Sequence, residues 1–116
     1  MSEIALEELS ARIGEVLVVD VRRPDEYDGT GGSACDPRQG HLPGALHLEL
    51  DELVGLDEAA LADRLGVPPG TEVVVYCHSG SRSAFAAQVL RQRGFEARNY
   101  VGSWHEWSRS DLPLET

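Results

Sequence analysis

Apolar residues along the chain alternate between two patterns, one typical of buried strands and one typical of amphipathic helices. Runs of valine and other apolar residues, such as "EVLVVDV" and "EVVVY", predict strands that are buried on both faces. Apolar positions at helical spacing predict helices between them. The predicted strands lie at 15–21, 45–50, 72–76 and 97–100. The predicted helices are a short one within the first dozen or so residues and two more at 56–66 and 83–93, with a closing helical turn at 102–108.

Residues that end or interrupt elements support this assignment. Ser2 is placed to cap the first helix, and Gly66 and Gly94 are natural stops for the next two. In the helix at 83–93 the apolar side chains Phe85, Ala86, Val89 and Leu90 are expected to form the core-facing side. Residues 28–40 are dense in Gly, Ser, Asp and Pro and predict a surface loop. Strands that alternate with helices indicate an α/β fold with a mainly parallel sheet.

Composition restricts the class of protein. The 116 residues are 41% hydrophobic and 26% charged, which predicts one domain spanning 1–116. The net charge of -10 opposes binding to nucleic acids or membrane surfaces, so we expect neither as a partner. No apolar stretch approaches the roughly 18 residues of a membrane helix, and no secretion signal is visible, so we expect a cytoplasmic protein with free thiols at Cys35 and Cys77.

The segment "VVVYCHSGSRSAF" carries the candidate chemistry. Cys77 directly follows a buried strand, and the functional crevice of an open α/β sheet lies beyond the carboxyl ends of its strands. The residues that follow lead into a helix, whose N–H groups can converge on an anion. Such surroundings lower a thiol pKa, so Cys77 is a candidate nucleophile, and Gly80 with the small residues Ser79, Ser81 and Ser83 leaves the cradle open.

The ordered set of motifs resembles the rhodanese family of sulfurtransferases. The motifs are "VVDVRRPDEY", "GHLPGA", "VVVYCHSGSRS" and "YVGSWHEWSRSDLP", which together cover nearly the whole chain. The resemblance implies an α/β fold with a central, mainly parallel five-stranded sheet and helices on both faces. The last motif and the insertion before "GHLPGA" look more like the catalytic domain of two-domain thiosulfate and mercaptopyruvate sulfurtransferases, so this chain would be a single-domain version.

The resemblance also implies a reaction. Cys77 would take the sulfane sulfur of a donor such as thiosulfate as a persulfide and pass it to cyanide or a thiol, without a metal or organic cofactor. Thioredoxin or a sulfur-carrier protein are further candidate acceptors. The implied binding residues are Arg22, His78, Ser79, Gly80, Ser81, Arg82 and Ser83, with Asp20 and Trp104 in support.

Two alternatives are weighed against this reading. Phosphatases and arsenate reductases of related fold carry five residues between the cysteine and the arginine, whereas four residues, His78 to Ser81, lie between Cys77 and Arg82 here. The shorter ring suits one sulfur atom better than a tetrahedral oxyanion. A non-catalytic rhodanese-like module is the other alternative, and members of that kind usually lack the cysteine.

The remaining polar residues have structural explanations beside the functional ones. Asp20 and Arg22 could form a local turn and ion pair, or Arg22 could face the donor while Asp20 organises the loops. Glu26 is expected to pair with an arginine, and the His41 ring with backbone. Trp104 and Trp107 are expected to stack in the core, although Trp104 could border the pocket.

Three further residues bear on metals, redox chemistry and the donor. His47 and His105 lack ligand-like spacing with a cysteine, so no metal site is assigned. Cys35 is expected to be incidental, with resolution of a Cys77 persulfide as the alternative. Mercaptopyruvate-type relatives have a basic residue where this chain has Asp28, which favours thiosulfate as donor, although His78 and Ser79 match neither type cleanly.

Overall fold

Four parallel strands form the central sheet of the computed structural model, which describes residues 3–116. They are ordered β2-β1-β3-β4, so the two long valine-rich strands lie in the middle. The strands are β1 (Leu17–Asp20), β2 (Leu46–His47), β3 (Glu72–Tyr76) and β4 (Glu96–Asn99). The helices are α1 (Leu6–Arg12), α2 (Pro24–Asp28), α3 (Leu50–Val54), α4 (Glu58–Leu65), α5 (Ser81–Gln92) and α6 (Ser103–Trp107).

The five-stranded sheet that the resemblance implied is wrong by one strand, since the described residues form four strands, one in each region where the apolar pattern predicted a strand. At the free edge of β4, Glu3 forms a single parallel bridge to Asn99. One bridge fixes the position of the chain there but does not extend into a ladder, because Leu6 already begins α1. The α/β class, the parallel sheet and the helices on both faces are confirmed.

The sheet separates two hydrophobic clusters, because successive side chains of a strand point to opposite faces. Val73 and Val75 of β3 pack with side chains of α3, α4 and α5 on one face. Val74 and Tyr76 pack with α1 and α6 on the other. The parallel register brings the ends of β1 and β3 side by side, with Asp20 paired to Tyr76. The residues that follow these strands therefore meet at one edge.

Helix α5 differs in two respects from its prediction. It begins at Ser81, two residues before the predicted start. Phe85 was expected to face the core, but its side chain is 50% exposed, and Ala87 is buried in its place. Small residues at 86 and 87 let the helix approach β3 closely, so the larger ring stays on the flank. Gly94 follows the helix with a φ of 95°, as a stop requires.

Two short helices are elements that the sequence pattern did not predict, and the strand predicted at 45–50 is shorter in the structure, because Leu50 already begins α3. Helices α2 and α3 have five residues each, too few for a helical period to be visible. The loop predicted at 28–40 contains no helix or strand from residue 29 onwards, whereas Asp28 is the last residue of α2. The predicted cap Ser2 lies outside the described residues. Within residues 3–116 no helix is both long and apolar enough to cross a membrane.

Candidate active site

The segment 77–82, here called the cysteine loop, leads from the end of β3 into the first turn of α5 and wraps around the thiol of Cys77. The N–H of Gly80 donates to Cys77 Sγ at 3.0 Å, and the N–H and hydroxyl of Ser83 donate at 3.4 and 3.3 Å. The Cys77 side chain is itself fully buried. Three donors from the loop and the first turn of α5 therefore converge on one sulfur atom.

Burial and hydrogen bonding act in opposite directions on the pKa of Cys77. Burial raises it, because the thiolate loses the solvation of water. Hydrogen bonds from the Ser83 hydroxyl and from the N–H groups of Ser83, Gly80 and Ser79 lower it and outweigh burial, so the pKa lies below its ordinary value. The N-terminus of α5 adds a favourable dipole for a negative charge. The site therefore stabilises a sulfur anion.

Helix α6 holds the cysteine loop from the other side through one side-chain hydroxyl and two backbone N–H groups. Ser103 Oγ accepts the N–H of Cys77 at 3.1 Å and donates to the carbonyl of Tyr100 at 2.8 Å. The N–H groups of Trp104 and His105 donate to the carbonyls of Cys77 and His78, each at 2.9 Å. Ser103 has a φ of 54°, a left-handed conformation that is uncommon for a residue other than glycine. Sequence reasoning missed Ser103, whose only signal was a serine at the start of the predicted closing turn.

Glycine is required at position 80. Gly80 has a φ of 98°, and a Cβ placed there would lie 2.6 Å from the carbonyl oxygen of Val101. The side-chain amide of Asn99 donates to the Gly80 carbonyl at 3.1 Å. The bend that aims the Gly80 N–H at the thiol is therefore possible only without a side chain.

Arg82 forms a two-pronged ion pair with Glu26. The Nη1 and Nη2 atoms of Arg82 lie 2.8 and 3.1 Å from the two Glu26 carboxylate oxygens. Burial raises the pKa of Glu26, but hydrogen bonds from Arg82 and from the Arg23 N–H lower it by more than burial raises it, so the pKa is about 2. The expectation that Glu26 pairs with an arginine is confirmed. The Arg82 guanidinium is therefore neutralised by this carboxylate, and contact with a donor stays a prediction.

Arg22 and Asp20 form a buried ion pair at the end of β1. Arg22 Nε and Nη2 donate to the Asp20 carboxylate at 3.0 and 2.7 Å, and Nη2 also donates to the Gly40 carbonyl at 2.6 Å. The Tyr76 hydroxyl donates to Asp20 at 2.6 Å. The structure thus has the local ion pair, with Arg22 only 1% exposed. A contact of Arg22 with the donor stays a prediction.

Trp104 and Trp107 lie in the core, and the ring of His41, the histidine of "GHLPGA", bonds to backbone; both were predicted from the sequence. Trp104 and Trp107 are buried, and the Arg22 guanidinium lies 5.1 Å from the Trp104 ring centroid. The His41 ring bonds the Tyr27 carbonyl at 2.8 Å and stacks on the Tyr27 ring. The expected core position of Trp104 is confirmed, and its support of the site stays a prediction.

The other residues of the cysteine loop face outward. The His78 ring bonds the Asp36 carboxylate at 2.9 Å, while Ser79 and Ser81 are exposed. Ser79 also borders a groove of about 670 Å³. Cys35 is an exposed free thiol. Binding of the donor by His78, Ser79 and Ser81 stays a prediction.

Comparison with known proteins finds a family model and sulfurtransferase relatives that match this chain. The family model for the rhodanese-like domain matches residues 5–110. A thiosulfate sulfurtransferase of Corynebacterium glutamicum is 36% identical over 89% of this chain and 39% of its own length. A sulfurtransferase of Allochromatium vinosum is 33% identical over 98% of this chain and 94% of its own length.

A solved structure shows the same fold. The crystal structure of a probable thiosulfate sulfurtransferase superposes with a TM-score of 0.87 and 44% identity, over 99% of this chain and 48% of that one. The chain thus spans about two fifths of the Corynebacterium relative, at 39%, and about half of the solved structure, at 48%. With the family model matched along almost its whole length, the chain belongs to the rhodanese family.

Proposed function

We propose that the chain is a sulfurtransferase that carries one sulfur atom on Cys77 as a persulfide. The observation that carries the proposal is the convergence of the Gly80 and Ser83 donors on a thiol whose pKa is lowered. A terminal persulfide sulfur is an anion, and it gains most from fixed N–H and O–H donors. The names of the relatives support the same reaction class.

Thiosulfate is the proposed donor. The Cys77 thiolate attacks the outer sulfur, a new S–S bond forms, and the old S–S bond breaks with its electron pair leaving on sulfite. The terminal sulfur is then attacked by cyanide or a thiol, which takes the sulfur and returns Cys77 as thiolate. Each step moves one sulfur and one electron pair, so the cycle needs no oxidant.

The surroundings of Cys77 suggest how the donor reaches it. The thiol is buried, while Ser79 and Ser81 on either side of Gly80 are exposed. The donor therefore approaches over these two small side chains. Asp28 is exposed, and hydrogen bonds from Thr30 lower its pKa, which keeps a negative charge at the position where mercaptopyruvate-type relatives carry a base. That charge favours thiosulfate over a carboxylate donor.

The test is intact-mass measurement after incubation of the pure protein with thiosulfate. We expect a gain of one sulfur atom, which cyanide removes as thiocyanate. Cys77→Ser should gain none, and Cys35→Ser should gain as much as the wild type. A panel of thioredoxin, small thiols and sulfur-carrier proteins, added to the loaded protein, then identifies acceptors by the loss of that mass.

Two results would contradict the proposal. If the folded wild type stays unmodified with thiosulfate, mercaptopyruvate and low-molecular-weight persulfides, the chain is a non-catalytic rhodanese-like module. If Cys35→Ser abolishes the gain of sulfur and Cys77→Ser does not, the sulfur is carried by Cys35 rather than by Cys77.

A further inference from the structure

Three side chains from distant parts of the chain converge beside the cysteine loop. They are Asp36 from the 29–40 loop, His78 from the cysteine loop and His105 from α6. One potential ligand atom from each lies within 4.8 Å of the others. The Asp36 carboxylate is fully buried, the His78 ring is partly exposed, and His105 is exposed. A buried carboxylate with two imidazoles above it is a donor set that suits transition metals.

The distances fit a shared ion. His78 Nε2 lies 2.9 Å from Asp36 Oδ2, and the two imidazole centroids are 5.8 Å apart with nearly perpendicular planes. Ligand atoms on a tetrahedral Zn²⁺ lie about 3.3 Å apart, and two imidazole centroids about 5 Å apart, given Zn–N bonds of about 2.0 Å. Binding would therefore lengthen the His78–Asp36 contact by a few tenths of an ångström and draw the two imidazoles closer together, and the exposed His105 side chain has room to move.

Arg109 supplies the hydrogen bond that metal-ligating carboxylates usually receive. Its Nη1 donates to Asp36 Oδ1 at 2.8 Å, and its Nη2 donates to the Cys35 carbonyl at 2.9 Å. Oδ1 is thereby occupied, and Oδ2 is the oxygen left facing the imidazoles. The guanidinium charge weakens cation binding, whereas the net charge of -10 strengthens it.

One of the three side chains is open to solvent in a groove. The groove of about 670 Å³ is lined by His105 together with Ser79 and Arg109, among others. An ion can therefore reach His105 from solvent.

We propose that Asp36, His78 and His105 form a site for a divalent transition ion of the Zn²⁺ type. Three protein ligands leave a fourth position for water or an anion. The sequence predicted no metal site, because His47 and His105 lack ligand-like spacing with a cysteine. Since His78 directly follows Cys77, an ion held there restrains the cysteine loop, and we expect it to slow sulfur loading. This last consequence rests on the proposed function, whereas binding does not.

The binding test uses the Cys35→Ser/Cys77→Ser double variant, so that no thiol competes as a ligand. Titration with Co²⁺ should give the visible absorption of a four-coordinate ion at one equivalent, and Zn²⁺ should displace it. Adding His105→Gln should weaken binding at least tenfold, since a direct ligand is lost. The matched control is His47→Gln, whose ring bonds the Arg22 carbonyl and lies outside the cluster, and it should bind as before.

Two outcomes would overturn the site: the absence of saturable one-to-one binding, or an affinity that His105→Gln leaves unchanged. Asp36→Asn is a second variant, with circular dichroism to show that it folds, and it should weaken binding to the same degree. In a separate arm, Zn²⁺ should slow sulfur loading of the wild type but not of His105→Gln. If the wild type loads no sulfur at all, the proposed function fails while the Co²⁺ titration still decides the site.

Discussion

The ends of β1 and β3 lie side by side but hold their polar groups in opposite ways. After β1, the buried Arg22 and Asp20 neutralise each other, and Tyr76 completes the carboxylate's hydrogen bonds. After β3, the buried Cys77 receives donors from Gly80 and Ser83. Hydrogen bonds from those donors are strongest when the sulfur is an anion, because a thiolate is a better acceptor than a neutral thiol. The first end is therefore closed and structural, and the second is prepared for a charge.

The Glu26–Arg82 ion pair joins the two ends. Glu26 belongs to α2, which follows β1, and Arg82 belongs to the cysteine loop that follows β3. This charged contact therefore links the helix that follows the structural end to the cysteine loop. The predictions below separate the stability of one end from the chemistry of the other.

The largest expected effect is on stability, from Asp20→Asn. The substitution keeps the shape but leaves the buried Arg22 charge without its partner, so we expect a loss of about 3–5 kcal/mol in the free energy of unfolding. Urea denaturation measures it. The matched control is Glu52→Gln, which removes the exposed ion pair with Arg64 and should cost less than about 1 kcal/mol. Equal costs for the two variants would show that the buried pair is not structural.

The next effect depends on pH and concerns Glu26→Gln. The pKa of Glu26 falls from an ordinary 4.5 to about 2 in the folded protein, so its ionised form stabilises the fold above pH 4.5 and this stabilisation is lost as the pH falls towards 2. We expect the variant to be less stable by about 2–3 kcal/mol at pH 7 and the difference to shrink below about pH 4.

Urea denaturation at several pH values measures this difference. Glu15→Gln, at an exposed position, is the control and should show a small difference at every pH. A difference for Glu26→Gln that stays constant down to pH 2 would contradict the role of its charge.

A smaller loss is expected from Ser103→Ala. The Cys77 N–H would lose its acceptor while remaining buried, which costs about 1–3 kcal/mol. Ser103→Gly also removes the hydroxyl but accepts the left-handed φ, so it should cost less than alanine. Thermal unfolding compares the two, and intact mass compares their rates of sulfur loading. An alanine variant as stable as the wild type would show that this hydrogen bond does not position Cys77.

The smallest change in free energy concerns the thiol alone. Ser83→Ala removes the hydroxyl that donates to Cys77 Sγ, so we expect the pKa of Cys77 to rise. Alkylation by iodoacetamide at neutral pH should slow by up to about tenfold and recover at high pH. Ser10→Ala, on α1, is the control. An unchanged pH profile would mean that the amides alone stabilise the thiolate.

Sequence patterns predicted most of the fold, because the long elements carry their period in the order of residues. The strands at 72–76 and 97–100 and the helix stop at Gly66 come from such patterns. The five-residue helices α2 and α3 were missed, since one turn shows no period. Phe85 was misplaced because the apolar pattern does not reveal how closely α5 packs on the sheet.

The sequence by itself determined the parallel α/β fold, the family and the candidate nucleophile, since each depends on local patterns and on their order along the chain. Cys77, its loop and the start of a helix are contiguous, so their convergence follows from local geometry. Only the tertiary structure decided that Ser103 holds Cys77, that Glu26 neutralises Arg82 and that Asp36 meets His105. Those contacts join segments tens of residues apart, and their distances depend on how the sheet and helices pack.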